Sequence, residues 1–181
     1  QSLPLLLVPG LLCSARLFVP QIVALWPHGP VAVADHRRDA TMEAIAARIL
    51  KDAPPRFALA GLSMGGYIAQ MVALRHPELV ERLVLVCTAT GGPDVVSTPA
   101  GESGLGGERE EDPAGVRAGD DAALVQVVHG DADRIVAYEN GVALARRIPG
   151  ARFETFPAAG HLLFIEDAPR FNPMVTSFLS D

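Results

Sequence analysis

Residues 57–76 are the stretch that most restricts what this chain can fold into. The apolar run at 57–61, FALAG, reads as a buried strand, and residues 64–76 read as a helix. The turn between them is Gly61-Leu62-Ser63-Met64-Gly65. A strand that turns straight into a helix brings two backbones within contact, and a Cβ at Gly61 or Gly65 would obstruct the approach. The residue at the tip, Ser63, is expected in a strained backbone conformation. The turn lifts its hydroxyl above the carboxyl end of the sheet. It also puts the Met64 amide at a helix N-terminus, where developing negative charge is stabilised.

The flanking sequence repeats the alternation. Apolar runs at 3–8, 31–35, 83–87 and 124–130 read as strands buried on both faces, and 152–156 as a sixth, alternating strand. Helical spacing covers 15–25, stopped by Trp26-Pro27, and a helix capped by Thr41 runs to 51 ahead of Pro54-Pro55. Further helices are predicted over 138–148 and 166–179. Alternating strands and helices predict an α/β fold: one doubly wound, mostly parallel sheet of about six strands, with helices on both faces, in a single domain over 1–181. The stretch 91–121 breaks the pattern. It is rich in Gly, Pro, Glu and Asp and predicts a short loop-rich segment, its acidic run at 108–112 being a solvated face without metal-ligand spacing.

Bulk properties remove several classes. The 181 residues are 49% hydrophobic with mean hydropathy +0.26, which suits one packed core. A net charge of −6 without a basic run argues against a nucleic-acid partner. Cys13 and Cys87 form no disulfide framework or metal motif and read as small buried hydrophobes in a reducing compartment. The apolar start lacks a basic flank and the length of a span, so a cytoplasmic protein without a membrane span is expected, monomeric or a weak homo-oligomer; Gln1 points to a trimmed start.

A serine nucleophile needs a base and a group to orient that base, in the chain order Ser, acid, His for this topology. Ser63 follows the third strand, Asp133 in HGDADRIV follows the fifth, and His161 in AAGHLLF follows the sixth. All three fall at carboxyl ends of strands, where ligands bind in such sheets. Asp131 is expected to shape its turn, His129 to be a packed core residue, and His28, His36 and His76 to be surface polar groups. The oxyanion donors are expected to be the backbone amides of Met64 and Leu11. Gly10 lets the backbone approach, and Gly10, Leu12 and Val136 are the candidate substrate contacts. No metal or organic cofactor is implied, and VPGLLCSA after the first strand lacks the glycine pattern of a dinucleotide site.

LLLVPGLL, LAGLSMGGYIAQ, HPELVERLVLVCTA, VVHGDADRIV and ALARRIPGARFETFPAAGHLLFIE together resemble the α/β-hydrolases, in the branch of bacterial esterases, cofactor-free perhydrolases and C–C bond hydrolases. The resemblance implies the same roles for Ser63, Asp133 and His161, and a small-molecule ester as substrate. Pro9 stands where relatives often have His, and Ala137 where they often have Pro. Relatives usually carry a helical lid where this chain has only 91–121. The leading expectation is a cap-reduced serine esterase. The alternatives are perhydrolysis or C–C cleavage by the same residues, or a lidless scaffold with little turnover.

Overall fold

The computed structural model of the chain describes residues 2–90, 115–116 and 123–181. Six strands form one parallel sheet in the order β2-β1-β3-β4-β5-β6. They are β1 Leu5–Val8, β2 Val31–Val33, β3 Phe57–Leu62, β4 Val80–Val86, β5 Leu124–Gly130 and β6 Arg152–Phe156. The helices are α1 Val19–Leu25, α2 Met42–Asp52, α3 Met64–Arg75, α4 Tyr138–Arg147, α5 Leu163–Glu166 and α6 Ala168–Ser180.

The expected sheet with helices on both faces is what the chain forms. On one face, α2, α3 and α4 contribute Ile45, Ile49, Ile68, Val72 and Leu144 to a core shared with Leu59, Leu83 and Val127. On the other, Leu25 of α1 and Phe164, Phe171 and Phe178 of α5 and α6 pack with Leu5, Ala58 and Val84. Alternate residues of each central strand serve the two cores, which is why β3 is buried at every position.

Local chemistry explains the boundaries. Thr41 Oγ1 accepts the Ala44 amide at 3.1 Å, capping α2 as its sequence predicts. The predicted helix over 15–25 is a 3₁₀ turn, Ala15–Phe18, followed by α1, which ends at Leu25 as expected; Trp26–His28 then forms a further 3₁₀ turn. β2 ends at Val33, two residues short of the predicted strand. β4 begins at Val80, three residues before the apolar run, because Glu81 and Arg82 extend the ladder while their charges reach Arg56 at 2.7 Å and the Leu179 carbonyl at 3.3 Å. The predicted final helix over 166–179 is two helices broken at Asp167, whose ψ of 52° leaves the helical range. The predicted loop-rich segment 91–121 lies outside the described residues except for Gly115 and Val116, and Val116 is buried in the α2–α4 core. Among the described residues no helix is long and apolar enough to cross a membrane.

Candidate active site

Ser63 joins β3 to α3 at φ 53° and ψ −117°, in the region that non-glycine residues avoid. Such a conformation persists only where neighbours over-determine it. Here the Ser63 amide donates to the Val86 carbonyl at 2.9 Å, and its carbonyl accepts the Thr88 hydroxyl at 2.7 Å and the Tyr67 amide at 3.1 Å. The glycines work as predicted. A Cβ on Gly61 would lie 2.2 Å from the Gly65 carbonyl oxygen, and one on Gly65 would lie 2.2 Å from the Val8 carbonyl oxygen. The elbow is therefore pressed against both its own helix and the end of β1.

Gly10 follows β1, and a Cβ built there would stand 3.5 Å from the Ser63 Cβ. The turn closed by the Cys13 amide on the Gly10 carbonyl, 3.2 Å, carries Leu11 and Leu12 at its tip. Both side chains are exposed, and Leu12 has φ 60°. Met64 opens α3, so its amide is among those that an α-helix leaves without an intrahelical acceptor.

Asp133 is buried in the turn between β5 and α4. Its Oδ1 accepts the Ile135 amide at 2.8 Å and the Val136 amide at 3.0 Å. Its Oδ2 lies 2.8 Å from His161 Nδ1 and 3.4 Å from His129 Nε2. Burial pushes the Asp133 carboxyl up, but hydrogen bonding to the His129 and His161 imidazoles and to the Ile135 amide outweighs it, holding the group well below the usual carboxylate range. Such a group stabilises the folded state fully above the unfolded carboxylate value, about 3.9, and that contribution is lost as pH falls toward the lower folded value. Asp133→Asn should therefore flatten the loss of stability below about pH 4. Urea unfolding at pH 7 and pH 3 checks this, and an equally steep decline in the variant would contradict it.

The loop bearing His161 is fastened from two sides. Asp131 Oδ1 accepts the Ala158 amide at 2.6 Å, and Glu166 accepts the Gly160 amide at 2.7 Å and the Leu162 amide at 3.3 Å. A Cβ on Gly130 would fall 2.2 Å from the Ala159 carbonyl oxygen, so the turn after β5 and the loop after β6 touch at backbone level. Asp131 is expected to shape its own turn; its carboxylate instead reaches across to the histidine loop. Glu166 carries no signal in the sequence beyond its place near His161.

The structure thus brings Asp133 and His161 into contact and sets Ser63 two strands away on the same sheet edge. Among the described residues the Ser63 hydroxyl makes no hydrogen bond to His161. Catalytic hydrogen bonds are often long before substrate arrives. Val136 is buried with its amide engaged by Asp133, while its neighbour Ile135 is exposed. His28 and His76 lie at the surface or half-buried, as expected, but His36 is buried. His129 is fully buried, as expected of a packed core residue, and its Nε2 lies 3.4 Å from Asp133 Oδ2. Cys13 is half-buried, whereas Cys87 is fully buried at the end of β4, where burial pushes its thiol up; Cys87, Asp133 and His161 offer ligand atoms within 4.8 Å of one another. Cavities of about 360 Å³, beside Leu25, Gly29 and Arg82, and about 320 Å³, beside Val33, Arg38 and Arg48, lie away from Ser63.

Known proteins share the fold of this chain. A profile of the α/β-hydrolase fold matches residues 34–104. The enol-lactonase of Burkholderia xenovorans LB400 superposes with a TM-score of 0.79 at 22% identity, covering 100% of this chain and 92% of that one. The chain has the α/β-hydrolase fold. Over shorter stretches the chain is 45% identical across 49 residues to a pimeloyl-[acyl-carrier protein] methyl ester esterase of Klebsiella pneumoniae, 27% of this chain and 19% of that protein. It is 40% identical across 55 residues to a 2-hydroxymuconate semialdehyde hydrolase of Pseudomonas putida, 30% of this chain and 20% of that protein. The matched stretches thus span about a fifth of the length of these relatives.

Proposed function

We propose that this protein is a serine hydrolase of carboxylic esters. The observation that carries the reading is the 2.8 Å contact between buried Asp133 and His161, on the sheet edge that also presents Ser63 at a strained elbow. In this reading Ser63 Oγ attacks the ester carbonyl carbon and His161 Nε2 takes its proton. Asp133 accepts the His161 Nδ1 hydrogen, which fixes the tautomer and stabilises the imidazolium that forms. The amides of Leu11 and Met64 receive the oxyanion, a contribution typically worth a hundredfold or more per donor. The tetrahedral adduct collapses, His161 gives its proton to the leaving alcohol, and a water activated by His161 releases the acid and restores Ser63. The esterase relatives, named for the methyl ester of a pimeloyl-[acyl-carrier protein], support a carboxylic ester as substrate.

A fluorophosphonate probe followed by peptide mass spectrometry tests the reading. The expected adduct is on Ser63 and is lost in His161→Ala. A folded protein that remains unlabelled would overturn it. A second reading keeps the same residues and cleaves a C–C bond, on the strength of the likeness to the semialdehyde hydrolase. Turnover of a ring-fission dienoate without turnover of p-nitrophenyl acetate would favour it.

A further inference from the structure

His129 is one of the buried titratable groups, with Cys87 and His36, that the proposed chemistry leaves without a role among the described residues. It sits on β5 with no exposed surface. Its Nε2 lies 3.0 Å from the Val136 carbonyl oxygen and 3.4 Å from Asp133 Oδ2. Both neighbours are acceptors, so the Nε2 atom carries the hydrogen, donating to Val136 with Asp133 as its longer limb. Nδ1 has no hydrogen-bond partner among the described residues. It faces the backbone of α4, where a Cβ on Gly141 would come within 2.3 Å of it. A hydrogen on Nδ1 would be a buried donor with no acceptor, which proteins avoid. The ring is held edge to face against Tyr138, with centroids 6.0 Å apart, and the Tyr138 hydroxyl is bonded to Thr155 Oγ1 at 2.7 Å. The absent side chain at Gly141 and the anchored Tyr138 leave this imidazole one tautomer and one direction for its N–H.

We infer that His129 is a positioning residue for the acid of the site, an inference that rests on the serine-hydrolase reading. It acts by two routes. Its N–H fixes the Val136 carbonyl, and the amide of the same residue donates to Asp133 Oδ1. Its positive N–H end also lies against Asp133 Oδ2, the oxygen that faces His161 Nδ1. The groups facing the Asp133 carboxylate are then His129 from β5, Cys87 from the end of β4, His161 from the loop after β6, and the Ile135 and Val136 amides. The two amides hold one oxygen, and the two imidazoles share the other. Without the His129 N–H, the carboxylate is free to turn away from His161, and a misplacement of about 1 Å in a reacting array lowers turnover by up to about a hundredfold.

The test compares His129→Leu, which removes the donor, with His129→Gln, which keeps an N–H on a side chain of similar reach. The readouts are kcat and KM for p-nitrophenyl acetate, the melting temperature, and the downfield proton resonance of the His161 Nδ1–H bond. The expectation is that kcat falls on the order of tenfold or more in His129→Leu, with KM changed less than about twofold. The downfield resonance should weaken or move in that variant, and His129→Gln should regain most of both. If His129→Leu does not fold, Gly141→Ala displaces the ring while keeping its chemistry, and the same loss is expected. A folded His129→Leu or Gly141→Ala with unchanged kcat and an unchanged resonance would overturn the role. Equal losses in the Leu and Gln variants would reduce His129 to packing and overturn it too. If the resonance behaves as expected but wild type cleaves no ester, the hydrolase reading fails while the positioning of Asp133 stands.

Discussion

Ser63→Ala should lower p-nitrophenyl acetate turnover by about a thousandfold or more, because removing one member of a nucleophile–base pair loses nearly the whole advantage of the set. The fold should survive. Alanine at φ 53° meets the same backbone strain as serine, and the bonds that hold the elbow use only the Ser63 backbone, to Val86, Thr88 and Tyr67. Ser63→Gly offers a paired result. Glycine adopts positive φ freely, so this variant should be as inactive as alanine but more stable by about 1 kcal/mol. Initial rates and thermal melts on the three proteins decide the matter. Undiminished hydrolysis in Ser63→Ala would remove Ser63 as nucleophile.

The second large effect is expected at Gly65. A Cβ there would lie 2.2 Å from the Val8 carbonyl oxygen and 2.5 Å from that of Pro9. Both are backbone atoms, so relief requires α3 to move from β1 at the centre of the sheet. Gly65→Val should lose on the order of 3 kcal/mol, which for a chain of this size lowers the melting temperature by about 6–12 °C. Ester turnover should fall as well, because the displaced backbone leads directly into Gly10 and Leu11. Gly160→Ala is the control. Its added Cβ would stand 3.1 Å from a Glu166 side-chain oxygen, which needs to give by only a few tenths of an ångström, so its melting temperature should change far less. A Gly65→Val protein that melts with wild type would show that the elbow has slack.

Much of this was readable in the sequence because the signals are local. LLLV, FALAG and LVQVVHG are apolar runs of strand length bounded by breakers, and their alternation with helical spacing allows few sheets. The glycines of the elbow could be read because a sharp strand-to-helix turn tolerates nothing larger. Ser63, Asp133 and His161 could be picked out because each follows a strand, so topology alone delivers them to one edge. The missed features depend on contacts between distant segments. His129 sits in an apolar run, and nothing in VQVVHG reveals that Asp133, four residues on, folds back beneath it. Glu166 looks like the first turn of a long helix, yet it ends a short one and caps the histidine loop. β4 starts early because Glu81 and Arg82 find partners outside the sheet, which a window of hydrophobicity cannot register.

The four non-glycine residues with positive φ among those described are Leu12, Ser63, Cys87 and Ala158. Each follows a strand, β1, β3, β4 or β6, so all strain of this kind lies along the carboxyl edge. The amino edge is relaxed by comparison. The single lysine of the sequence, Lys51, lies there, exposed in the last turn of α2. Coupling through the Lys51 amine to a bead or electrode would therefore hold the molecule by its amino edge and turn the carboxyl edge, with Ser63, toward solution.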